Sequence, residues 1–139
     1  MNVSQSPGTA PEYQLYRIVT AADSGPHTDR ALGVNCGGRR TACVQIVPIA
    51  SPNPPSTNLF DPTGATSNPT VVIRFWSHKI GRFIVHNPTI APAAAGAGVA
   101  AELTIDVAGR IMMVEVTGGV TGGQAVAIFV ATHEFNESI

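Results

Sequence analysis

Apolar and polar residues alternate with a period of two along much of this chain, the spacing of side chains on a β-strand. Ala101-Glu102-Leu103-Thr104-Ile105-Asp106-Val107 shows it cleanly, and Ala108-Gly109 then turns the chain into Arg110-Ile111-Met112-Met113-Val114-Glu115-Val116. These runs read as a hairpin whose register sets Asp106 opposite Ile111, Thr104 opposite Met113 and Glu102 opposite Glu115. Residues 12–20 read as a first strand, with Tyr13, Leu15, Arg17 and Val19 on one side, and 21–29 as a loop. Strands are expected at 30–35 and 42–49 around the Gly37-Gly38 turn, and a hairpin at 70–76 and 82–86 about Lys79-Ile80-Gly81. A last strand is expected at 124–132, after the glycine-rich connection 118–123.

Seven or eight strands without a convincing amphipathic helix predict an all-β, single-domain antiparallel β-sandwich, jelly-roll-like in architecture. The division expected is an extended N-terminal arm at 1–11, where Ser, Gln, Pro and Gly replace any periodicity, and the sandwich at 12–139. A proline-rich loop at 50–69 interrupts the sandwich, and a loop of that length is usually functional or lies against something. The last strand is apolar on both faces from Ala125 to Ala131, so a second surface should cover Val126, Ile128 and Val130. The Ala-rich segment at 87–99 and a second subunit are the two candidates.

Composition narrows the partners. Of the 139 residues, 44% are hydrophobic and 12% charged, with a net charge of −1. The low charge implies that much of the surface is either uncharged or covered in an assembly, and the missing basic excess argues against nucleic acid as a partner. Seven of the eight basic residues are Arg, a bias toward bidentate contacts at interfaces. No apolar run reaches the roughly 20 residues of a membrane span, and the polar start of the chain has no apolar signal segment, so synthesis in the cytoplasm is expected. Cys36 and Cys43 flank Gly37-Gly38-Arg39-Arg40, and two small buried thiols are expected there rather than a disulfide.

Candidate chemistry is sparse. Glu102 and Glu115, facing each other with Asp106 nearby, could form an acid/base couple or a cation site, but cross-strand neighbours lie about 5 Å apart on a flat sheet, so a solvated or Arg-binding face is the favoured reading. Ser24, His27 and Asp29 share one loop with Asp23, too close in sequence for a catalytic triad, and turn hydrogen bonds are expected of them. His27, Cys36, Cys43, His78, His86 and His133 show none of the short ligand pairs of a structural zinc site. No catalytic, cofactor-binding or metal-binding residue is therefore assigned. Interface roles are expected for Arg39 and Arg40 in their tight turn, for Arg74 and Trp76 on one side of a strand, and for Val126, Ile128 and Val130. Trp76, between Arg74 and His78, suits the core, an interface or a sugar platform.

The strand-rich body, with Ile73-Arg74-Phe75-Trp76-Ser77 leading to Gly81-Arg82-Phe83 and the valine-rich strands after it, resembles the head decoration (cement) proteins of tailed bacteriophages. That resemblance implies a jelly-roll-like body, trimers seated on the major capsid protein of the phage head, and a stabilising role without turnover. It places the protein in the virion. A carbohydrate- or receptor-binding module of a tail or fibre is the alternative expectation.

Overall fold

The structure, a computed structural model, describes residues 12–53, 59–86 and 96–134. Among the described residues eight strands form: β1 (Gln14–Val19), β2 (Val34–Asn35), β3 (Arg39–Ile49), β4 (Thr70–Ser77), β5 (Arg82–Val85), β6 (Ala101–Asp106), β7 (Ile111–Gly118) and β8 (Ala125–Glu134). A 3-10 turn, Arg30–Leu32, precedes β2. They build two four-stranded sheets, β1-β8-β3-β6 (sheet 1) and β2-β7-β4-β5 (sheet 2). The expected arm at 1–11 and most of the Ala-rich segment lie outside the described residues.

The pairings nest. β1 lies antiparallel to β8, β2 to β7, β3 to β6 and β4 to β5, as if one long hairpin had been rolled up. This is the jelly-roll-like sandwich that the alternation predicts. Nesting also corrects the hairpin expected at Ala108-Gly109 and shows that the Gly37-Gly38 turn changes sheets. Ala108-Gly109 joins β6 of sheet 1 to β7 of sheet 2, and Gly37-Gly38 joins β2 of sheet 2 to β3 of sheet 1. The β4–β5 hairpin forms as expected, pairing Trp76 with Phe83 and Phe75 with Ile84.

Between the sheets lies one core built from the inward positions of both: Ala42, Val44 and Ile46 of β3, Val126, Ile128 and Val130 of β8, Val71, Ile73 and Phe75 of β4, and Met112, Val114 and Val116 of β7. Val126, Ile128 and Val130 are therefore not an interface awaiting a partner, as their sequence context suggested. β8 is central in its sheet, and these three face the other sheet. The face of β8 that needed a cover is the opposite one, where Ala125, Ala127 and Phe129 cluster with Val47, Ile49, Ile18 and Phe60. Phe60 comes from the proline-rich loop and meets Phe129 edge to face at 5.0 Å.

Strict alternation fails in β1, where the register shifts between Leu15 and Arg17. The bulge lets Tyr16 and Val19 both pack on the main core while Ile18 joins the outer cluster. Residues 30–35, expected as one strand, divide into the 3-10 turn and the two-residue β2. Asp29 caps that turn by accepting from the Ala31 amide at 3.0 Å, a local bond that competes with strand formation.

Candidate functional site

Between β1 and β2 the chain crosses the outer face of sheet 2 as a strap. Its first anchor is Asp23, which extends the edge of β7: the Asp23 amide donates to the Val116 carbonyl at 2.6 Å, and the Val116 amide donates to Asp23 Oδ2 at 2.8 Å. Arg17 Nη2 donates to Asp23 Oδ1 at 2.5 Å. Farther on, the His27 carbonyl accepts from the Phe83 amide at 2.8 Å, tying the strap to the free edge of β5. The strap returns at Gly33, where an added Cβ would stand 2.7 Å from Ile111 Cγ2 and 2.8 Å from Phe83 Cζ. Only a residue without Cβ lets the backbone come so close.

Beneath the strap sits Glu115, whose residue surface is 3% exposed. Arg74 Nε donates to Glu115 Oε1 at 3.0 Å, and His27 Nε2 bonds Glu115 Oε2. The β4–β7 register explains the first contact, since Val72 lies opposite Glu115 and Arg74 opposite Met113, a diagonal on one face. A carboxylate this deep is tolerable only when paired and hydrogen-bonded, and here both oxygens have donors. A cleft of about 540 Å3 opens beside it, lined in part by Tyr16, Arg17, Asp23, Leu32 and Met113. The Tyr16 hydroxyl donates to the Leu32 carbonyl at 2.5 Å, and burial pushes its phenol above the ordinary range.

Glu102 is nowhere near Glu115. It stands on the outer face of sheet 1, where Tyr13 donates to it and Gln45 Nε2 donates at 3.2 Å. The two carboxylates expected to oppose each other thus occupy opposite exteriors of the sandwich, because the turn after β6 changes sheets. The couple they were weighed for does not assemble. Desolvation, with the hydrogen bond to Glu102 second, raises the Tyr13 phenol.

Of the loop residues considered for a triad, Asp23, His27 and Asp29 are all engaged in holding the strap or its turn. No disulfide joins the two cysteines, which face different ways: Cys36 is buried in the inter-sheet core, whereas Cys43, expected to be buried too, is only half-buried, with its sulfur 3.7 Å from Thr104 Oγ1. Burial raises the Cys36 thiol. His86 packs edge to face on Phe75 at 5.1 Å. Among the described residues no three His, Cys, Asp or Glu side chains converge as a metal site would require.

Arg74, expected at an interface, is instead the internal partner of Glu115. Sequence reading missed this pair, although one signal was legible: Glu115 is the single polar residue between Ile111 and Val116, the mark of a buried charge that needs a cation. Arg40 is exposed and Arg39 half-buried, in a turn whose Arg39 and Arg40 carbonyls accept from the Gly109 and Val107 amides at 2.8 and 2.9 Å. The same end of the sandwich carries Trp76. It is half-buried on the outer face, edge to face with Phe83 at 5.1 Å and with His78 at 6.5 Å. Trp76 and His78 border a pocket of about 460 Å3 with Arg30, Asn35, Arg110 and Ile111.

Fold and site together define a class: a jelly-roll-like β-sandwich whose buried charges fasten a strap, with an aromatic and basic pocket at one end. Comparison with known proteins adds no relative, since no family model, no curated protein and no solved structure matches the chain. No helix among the described residues is long and apolar enough to cross a membrane.

Proposed function

We propose that this chain is a non-enzymatic structural protein of a virus particle, a decoration protein that binds the outside of a phage head and stabilises it by bridging subunits of the major capsid protein. The observation that carries this reading is the commitment of Glu115, Arg74, His27, Asp23 and Arg17 to fastening the protein's own strap. Such a surface offers a fixed shape for contact. The nested eight-strand pairing adds support by fold-level analogy, because viral capsid and lectin domains use that architecture alongside many others. In this reading copies self-associate, as trimers, and act by burying area at about 25 cal/mol per Å2 of apolar surface, opposed by the cost of ordering the partners. Rate-zonal sedimentation of native source material, with mass spectrometry of each fraction, tests it. Many copies travelling with a megadalton particle support the reading, and confinement to the light fractions overturns it.

A second reading, a carbohydrate- or receptor-binding module of a tail or fibre, is favoured by one observation: Trp76 borders an open pocket instead of lying in the inter-sheet core. Replacement of Trp76 by Ala then abolishes glycan binding while far-UV circular dichroism stays unchanged.

A further inference from the structure

We infer that the pocket beside Trp76 takes a carboxylate-bearing sugar. The inference rests on the carbohydrate-binding reading of that residue and adds the chemical class of the ligand. Arg30, Arg110 and His78 are among the residues that line the pocket, and no carboxylate residue is. Asn35 adds a further donor, because its Oδ1 already accepts from the Gly37 amide at 2.9 Å and its NH2 group remains for a ligand.

Arg110 is held before any ligand arrives, and so is the backbone that carries Arg30. Arg110 donates from Nε to the Val107 carbonyl and from Nη2 to the Asp106 carbonyl, both at 2.9 Å, and its guanidinium lies 3.7 Å from the centroid of the Phe75 ring. Its other N–H groups keep a fixed direction, so little side-chain entropy is lost on binding. Arg30 sits on the 3-10 turn that Asp29 caps and that the Gly33 amide closes by donating to the Arg30 carbonyl at 3.2 Å. A second pocket of about 500 Å3 shares Arg30, Asn35 and Ile111 with the first and adds Asp29, whose Oδ1 accepts from the Ala31 amide, so the lining without a carboxylate is that of the Trp76 pocket alone.

A lining that offers donors and positive charge fits an acceptor-rich anion. A neutral sugar brings hydroxyl hydrogens that meet no carboxylate residue in the Trp76 pocket, and unmatched polar groups cost affinity. A planar carboxylate suits a guanidinium, while the indole of Trp76 offers a flat apolar surface for the C–H face of a sugar ring. The volume falls within the range of small-molecule sites.

The test uses the full chain and calorimetric titration with galacturonic-acid oligosaccharides and their methyl esters, which share shape but differ in charge, alongside sialylated oligosaccharides and their neutral parents. The acids should bind about tenfold or more tightly than their neutral counterparts, and the preference should shrink as salt is raised. Arg30→Gln, on an exposed turn with little effect on the fold, should erase much of the preference, and Trp76→Ala should weaken acid and ester together. Equal binding of acid and ester overturns the inference and leaves the carbohydrate reading standing. Binding of none of these sugars overturns both, and unchanged binding by Trp76→Ala removes this pocket as the site.

Discussion

The outer faces of the two sheets are each partly roofed by a loop, and the two roofs are held by opposite means. Over sheet 1, Phe60 of the proline-rich loop rests on Phe129 beside Ile49, Ala125 and Ala127, a contact of apolar atoms that is non-directional and graded. Over sheet 2, the strap is pinned by Asp23 on the β7 edge and by His27 on Glu115, with Arg74 completing the charge balance from below. Apolar covers lose stability in proportion to the atoms removed. A buried carboxylate held by Arg74 and His27 fails more abruptly, because removing one partner strands the others in a medium that cannot solvate them.

The largest effect is therefore expected at Glu115. Glu115→Gln should cost about 3 kcal/mol in urea unfolding, most of it from leaving Arg74 without a counter-charge. Adding Arg74→Met should recover part of that loss, and a double mutant as unstable as the sum of the singles would show that the pair is not coupled. Phe60→Ala should cost less, about 1.5 kcal/mol, since the side chain is half-buried. A loss at Phe60 equal to that at Glu115 would erase the contrast between the two roofs.

The smallest effect is a pH dependence beneath the strap. Burial raises the Tyr16 phenol above its ordinary value of 10.0 in the folded state, so the native protein holds that proton longer than the unfolded chain does. The contribution is intact below the unfolded value and is lost as pH rises through the folded one. Stability should fall on the alkaline side of about pH 10, and Tyr16→Phe should flatten that limb when thermal unfolding is followed from pH 8 to 11. An unchanged slope in Tyr16→Phe would assign the limb elsewhere, with Tyr13, raised by desolvation and by Glu102, as the next candidate.

Much of the fold was legible in particular residues. Val71, Ile73 and Phe75 point inward while Arg74 and Trp76 point outward, as their alternation predicts. The candidate site was legible only in fragments: Trp76 was placed on one side of its strand with Arg74 and His78, with core, interface and sugar platform all open to it, and Arg30, Asn35 and Arg110 come to it from separate segments that no local pattern connects. Glu102 and Glu115 show the converse error. Their spacing about Ala108-Gly109 is that of a hairpin, and a turn that stays in one sheet is locally indistinguishable from one that crosses to the other.

By itself the sequence determined where strands and turns lie and which face of most strands is apolar, because side-chain periodicity and glycine placement act over a few residues. Tertiary structure alone decided which strands pair, and hence that β8 is central and doubly covered, that Glu115 is buried against Arg74 and His27, and that the loop after β1 becomes a strap. Pairing joins residues far apart in the chain. Its energy comes from the burial of two whole sheet faces at once, a quantity that no single segment carries.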